Sequence, residues 1–310
     1  MINKLITNNL FLLILLSSIW GSAFIAIKIA VQTINPISIV ALRLTIASII
    51  LLTFFIIKGY KFNFTLKTYM YIFLISLFGN VIPFYLISWS EIFIDSNLAG
   101  LLLSIAPIFA LISSHFLTSD DKFTLMKFLA TIFGFIGIII LLGFDNLKLV
   151  FQGDYLLILP KIAVIIAAFG YVISSIFAYN LKKINTISLT TMVLIFASLM
   201  SLPFMLIYEI NNFSIPDNKS IIAVIYLGIM PTATAYLLRF YIISKAGPIF
   251  LSYVAYLIPI FAIFWGVILL NENINALTMF AMIFIFAGIY FGQKEQNSNV
   301  INNLERHKQS

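Results

Sequence analysis

Ten long stretches of this chain are nearly free of charge: Arg43, Lys161 and Arg239 each interrupt one of them, and Lys28 stands between the first and the second. A helix needs roughly 20 residues to cross about 30 Å of hydrocarbon. Residues 5–27, 68–90, 184–208 and 246–271 contain no Asp, Glu, Lys, Arg or His, and each predicts one membrane span. Segments 29–57, 155–181 and 220–244 are interrupted once each, by Arg43, Lys161 and Arg239. Segment 96–119 holds only His115, while 128–144 and 273–293 are uncharged. The runs are continuous Ile, Leu, Phe and Val rather than short alternating segments, which excludes an outer-membrane barrel.

Composition agrees. With 62% hydrophobic and 9% charged residues among 310, the apolar surface exceeds what one water-soluble core can bury. The expected fold is all-α and integral to the membrane, with ten transmembrane helices. Lys4 precedes an apolar run that continues through Trp20 to Ile27 without an A-x-A-like cleavage site, so the first run reads as a retained span rather than a signal peptide. The absence of cysteine removes disulfides and thiol chemistry.

Loop charge sets the expected orientation. Placing the N-terminus inside puts Lys4, Lys58, Lys61, Lys67, Lys122, Lys127, Lys182, Lys183, Lys245, Lys294, Arg306 and Lys308 on the cytoplasmic side. The opposite loops then hold Lys148 and Lys219 among the acids Glu91, Asp95, Asp145, Asp154, Glu209, Asp217 and Glu272. This positive-inside bias predicts cytoplasmic N- and C-termini. It also accounts for the net charge of +7 without a nucleic-acid partner. Residues 294–310 are too polar to pack and read as a cytoplasmic tail. The heavy use of Ile, Asn, Lys and Phe fits an AT-rich bacterial genome, and the expected location is the cytoplasmic (inner) membrane.

The chain repeats itself. Pro-Ile-Phe-Ala occurs at 107–110 and at 259–262, an offset of 152 residues (259 minus 107) that also relates Trp89 to Tyr241. With one gap Asp121 corresponds to Glu272, and Gly137 and Gly288 then follow their acids at equal spacing. Five helices per half is an odd number, so the second half enters the membrane in the opposite sense. The expected organisation is residues 1–142 as a first repeat, 143–154 as an external connection, 155–293 as a second repeat and 294–310 as the tail. Inverted repeats of this kind recur in secondary transporters.

These residues resemble the drug/metabolite transporter superfamily, specifically ten-helix EamA-type permeases, over residues 10–293. One signature is Trp20, Gly21, Phe24 and Lys28 followed by Arg43; another is a proline-centred helix ending near an acid, Pro107 with Asp121 and Pro259 with Glu272. Asp120 and Asp121 stand where a glutamate is usual, and Phe169-Gly170 stands for the second Trp-Gly. The resemblance implies a cavity lined by helices 1, 3, 4, 6, 8 and 9 and transport of small metabolites such as amino acids.

Trp20, Phe24 and Lys28 share one helical face at i, i+4 and i+8. Lys28 can line a path or snorkel to headgroups. Arg43 lies about two turns into its helix, where facing lipid costs about 2.5–3.5 kcal/mol; it serves a vestibule or an ion pair with Glu91 or Asp95. Lys161 and Arg239, near helix ends, read as headgroup anchors. The substrate-contacting candidates are Trp20, Lys28, Arg43, Asn80, Thr232, Tyr256 and Trp265, with Ser104, Tyr171 and Thr234 at similar depth. Packing alone also accounts for each of them. Pro107 and Pro259 are candidates for a hinge or cavity wall, or for fixed kinks. Gly288 and Gly292 form G-x-x-x-G and predict close helix packing, and His115 reads as structural.

No carboxylate is expected deep in a span, so the fixed intramembrane charge is positive. The favoured partner is a zwitterionic or anionic small molecule moved by alternating access, with the lipid bilayer as the other partner and no homo-oligomer specified. No catalytic residue, metal site or cofactor is expected: the chain has no H-E-x-x-H, no G-x-S-x-G and no paired histidines. A passive channel is the alternative, and an integral-membrane enzyme a more remote one.

Overall fold

The computed structural model describes residues 2–151, 155–212, 214–270, 279–292 and 294. Every regular element among them is helical. The first half comprises α1 (Ile2–Ala30), α2 (Pro36–Ile57), α3 (Leu66–Ser76), α4 (Ile82–Phe93), α5 (Ser96–Leu103), α6 (Ala106–Leu117) and α7 (Leu125–Phe151). The second comprises α8 (Tyr155–Asn180), α9 (Thr186–Asn212), α10 (Asn218–Leu227), α11 (Ala235–Ser252), α12 (Val254–Leu270) and α13 (Met279–Gly292).

Seven helical stretches among the described residues are long and apolar enough to cross a membrane, and Leu125–Leu141 and Met279–Gly292 are shorter apolar helices. Their outward faces carry bare apolar side chains such as Ile57, Phe116, Leu199 and Phe204. Water cannot cover so much apolar surface at tolerable cost, whereas lipid can. The backbone of α7 stays helical to Phe151, well into the segment expected as a connection.

Local chemistry recurs in the two halves. Asn35 ends the turn after α1 and its side chain accepts the amide of Ile37; Asn185 ends the turn after α8 and accepts that of Ile187. Each is an N-cap that satisfies a free donor of the next helix. A π turn at Leu77–Val81 joins α3 to α4, and another at Gly228–Thr234 joins α10 to α11. Widening a helix by one residue leaves a carbonyl without its usual amide. Asn80 Nδ2 donates to the Ile75 carbonyl five residues back, and Thr232 Oγ1 donates to that of Leu227.

Packing is reciprocal. Helix α1 packs against α10, α11 and α12 of the other half, α8 packs against α3, α4, α5 and α6, and α2 packs on α9. The span Leu98–Leu117 breaks at Ser104 and Ile105, so Pro107 sits in the first turn of α6, where its missing amide costs no hydrogen bond. Pro259 lies inside α12. Within α11 the chain turns at Gly247, with φ of 84°, before Pro248 begins a new helical turn. A side chain there would be strained, and its Cβ would stand 2.8 Å from Asp121 Oδ2. At the far end, Gly288 lets α13 touch α7: a Cβ would meet the Ala130 carbonyl oxygen at 2.7 Å, the close approach expected of the glycine pair.

Candidate functional site

A cavity of about 100 Å³ lies among α1, α2, α4, α5, α6, α8, α11 and α12. Its wall is mostly apolar and aromatic, as in many small-molecule sites. Trp20 and Phe24 of α1 line it, as the shared face predicts, with Phe84 of α4 and Tyr171 of α8. Edge-to-face contacts fix these rings: Trp20 lies 6.2 Å and Phe84 5.9 Å from Tyr236 between ring centres. Trp20 Nε1 donates to the Pro231 carbonyl at 3.1 Å, inside the second π turn.

Two arginines supply the charge. Arg43 is only 3% exposed. Its Nε donates to Thr232 Oγ1 at 3.1 Å, and its guanidinium carbon stands 3.7 Å above the Phe84 ring. Thr232 is aimed by the π turn: its proton goes to the Leu227 carbonyl at 2.6 Å, which leaves its lone pairs for Arg43. The sequence alternative of an ion pair between Arg43 and Glu91 or Asp95 is replaced by this hydroxyl and this ring.

Arg239 is 1% exposed and lines the same cavity, so it does not anchor headgroups. One terminal nitrogen donates to Ser174 Oγ and Ser175 Oγ, both at 3.1 Å, and to the Tyr171 carbonyl at 3.4 Å. The other, Nη1, is buried without a hydrogen-bond partner. The rings of Tyr236 and Phe240 flank the guanidinium at 5.1 and 5.3 Å. No described carboxylate lies within ion-pair distance of either arginine. Hydroxyls, carbonyls and ring faces carry these cations instead, and the cavity retains positive charge that an entering anion would neutralise.

The other candidates fall elsewhere. Lys28 Nζ donates to the carbonyls of Glu91 and Ile94 at 2.7 and 3.0 Å and stands 3.9 Å from Asp95. It ties α1 to the negative C-terminal end of α4 rather than lining the wall. Asn80 is fully buried and braces its π turn. Tyr256 donates to the Thr131 carbonyl at 2.9 Å, with its ring against Gly134, and so joins α12 to α7. The side chain of Trp265 and all of Glu272 lie outside the described residues. His115 Nδ1 accepts the Phe123 amide and pins the loop after α6.

Three features correct the sequence reading. Lys161, expected at the headgroups, is 6% exposed within α8. Arg239 belongs to the cavity. Glu91, expected in a loop, lies inside α4 and is fully buried. Near the opposite end of the Leu98–Leu117 span, buried Asp121 accepts Lys127 Nζ at 2.8 Å and the Ile249 amide at 3.1 Å.

This is the architecture of a multi-pass helical membrane protein built around a positively charged, aromatic-walled cavity. The EamA-like transporter family model matches residues 8–143 and again residues 155–291, and the chain belongs to that family, within the drug/metabolite transporter superfamily. An uncharacterized transporter of Archaeoglobus fulgidus is 29% identical over 272 residues, covering 87% of this chain and 93% of its own. The uncharacterized transporter YoaV of Bacillus subtilis is 23% identical over 276 residues, covering 88% and 92%. A protein of Chlamydia muridarum named as an S-adenosylmethionine/S-adenosylhomocysteine transporter is 23% identical over 290 residues, covering 90% and 89%. One crystal structure superposes with a TM-score of 0.73 at 18% identity, over 91% of this chain and 97% of that one, a likeness of fold.

Proposed function

We propose that the chain is a secondary transporter moving small anionic or zwitterionic solutes by alternating access between two inverted five-helix halves. The observation that carries this reading is the pair of buried arginines, Arg43 and Arg239, which share one cavity and have no carboxylate partner among the described residues. A carboxylate entering the cavity gains charge-assisted hydrogen bonds, and an apolar or planar body gains contact with Trp20, Phe84 and Tyr171. Organic cations would meet charge repulsion. Of the two solutes named for the Chlamydia muridarum relative, S-adenosylhomocysteine is a zwitterion that joins an amino-acid carboxylate to a planar base and suits this wall, whereas the sulfonium cation of S-adenosylmethionine would be disfavoured beside two arginines. Among the described residues that line the cavity, no nucleophile and base are brought together.

The repeat boundaries, 1–142 and 155–293, are supported by the twofold family match, by the recurring Asn caps and π turns and by the reciprocal packing. The proposed setting is the cytoplasmic membrane of a bacterium with both termini inside. In that topology residues 122 and 273 face opposite sides of the bilayer, and tag accessibility that placed them together would defeat the inverted arrangement.

Proteoliposomes loaded with a bacterial metabolite extract, with exchange followed by mass spectrometry, test the function. Saturable counterflow of carboxylate-bearing solutes is expected, and Arg239→Met should reduce it at least tenfold while the purified protein keeps its thermal transition. Conductance without saturation would instead establish a channel.

A further inference from the structure

Glu91 is a buried acid that solute binding does not use. It lies on the face of α4 that carries Phe84 and Ile87, seven and four residues earlier, and both of these line the cavity. Its side chain is therefore about one helical turn beyond the cavity wall, where α1, α4 and α5 meet. Oε2 accepts Ser96 Oγ at 3.2 Å, and that hydroxyl lies 3.4 Å from the Phe24 carbonyl. Oε1 is buried without a partner.

The elements packed on α4 carry few charged or titratable groups, and the π turn before it carries none. From α1 comes Lys28, whose ammonium holds two main-chain carbonyls, one of them that of Glu91 itself. From α2 comes Arg43, committed to Thr232 and Phe84. Helix α8 contributes Tyr171 and buried Lys161, which follows Pro160, the acceptor of Ser90 Oγ. Asp95 precedes α5 and is largely exposed. None of them forms a described ion pair with Glu91. An ionised carboxylate held by a single hydroxyl in a dry interior is among the costliest groups a fold can bury, and such groups take up a proton instead.

We propose that Glu91 is a proton-binding site: as the neutral acid it lets α4 and α5 close on α1 at this end of the cavity, and its ionisation opens the junction to water. The proposal rests on the reading of the cavity as a solute path, but its test needs no solute. The proton leaves to, and returns from, the water that reaches the opened junction, so charge and atoms balance with water as acceptor. Lys28 supplies the main-chain clamp and Ser96 the hydroxyl bridge, and both contacts break when the helices part.

The native chain has no cysteine, so Ala23→Cys on the cavity wall gives a single reporter thiol. Its reaction with a polar maleimide is followed in lipid nanodiscs across pH, and the rate is divided by that of the same reporter combined with Glu91→Gln. The division removes the thiol's own ionisation. The ratio is expected to rise about tenfold per pH unit until the acid has titrated. Glu91→Asp, which keeps a carboxyl, should retain the rise at a displaced midpoint. A ratio that stays constant with pH overturns the proposal. Infrared difference spectra of the protein without the reporter provide a second measure: a protonated-carboxyl band at neutral pH that vanishes in Glu91→Gln supports the site, and identical spectra overturn it. Failure of solute exchange with a pH-dependent ratio would sink the transport reading and leave the proton site standing.

Discussion

Tyr256 and Arg239 occupy places opposite to those their positions in the sequence suggest. Tyr256 reads in the sequence as a pocket hydroxyl, but its proton is spent on the Thr131 carbonyl and its ring on Gly134. Tyr256→Phe should therefore lower stability by about 1 kcal/mol, the net worth of one buried hydrogen bond, and leave solute exchange within twofold of the native rate; thermal unfolding and counterflow measured on one preparation check both. Arg239 reads in the sequence as a headgroup anchor, but it lines the cavity. The charge-free run ends at Lys245 and the helix turns at Gly247, so Arg239 does lie near an end in sequence, but its side chain points inward to the cavity, a direction that the spacing of charges does not reveal. Glu91 reads as a loop residue because it bounds the charge-free run 68–90, whereas α4 runs on to Phe93. Arg43 was legible because uncharged helix extends well beyond it on both sides.

The π turns are the elements on which the site depends. Each converts a helix that would otherwise be uniform into one with a free carbonyl at a chosen depth, and a polar side chain, Asn80 or Thr232, fills the gap. Thr232→Val keeps shape but removes both the donor to Leu227 and the acceptor for Arg43. Leaving a buried guanidinium nitrogen unpaired costs about 1–3 kcal/mol, so a loss of that size is expected in thermal unfolding, with counterflow reduced at least tenfold. Thr232→Ser should restore both. The seven helices long and apolar enough to cross a membrane are legible from runs of low charge. The π turns and the break at Ser104 and Ile105 were not, because they leave hydrophobicity unchanged and follow from packing between distant helices.

At the scale of the whole molecule, contacts outside the bilayer tie the halves together. Lys182, after α8, pairs with Asp120, after α6. Partial burial alone would raise the Asp120 acid, but hydrogen bonds from Lys182 and Ser119 outweigh it and hold the acid below its ordinary 3.8; burial lowers the Lys182 ammonium, and its bonds to Asp120 and Tyr179 hold it above 10.5. The depressed acid contributes stability that is present above pH 3.8 and lost as pH falls through its folded value. The raised base contributes stability that is present below pH 10.5 and lost as pH rises through its own. Asp120→Asn should thus cost a small increment at pH 7, as half-exposed pairs do, and none well below pH 3.8, a difference that thermal unfolding across pH will show. The repeated Pro-Ile-Phe-Ala foreshadowed two related halves, but it gave no hint that α1 would cross to α10, α11 and α12 while α8 crosses to α3, α4, α5 and α6.

Because Arg43 and Arg239 are held inside the bilayer, they also sit within its voltage. Any rearrangement that carried one guanidinium across the full field would exchange about 2.3 kcal/mol with each 100 mV. On the proposed transport reading, a polarised cell, negative within, would draw the vacant cationic centre toward the cytoplasm, and a bound carboxylate would cancel part of that pull.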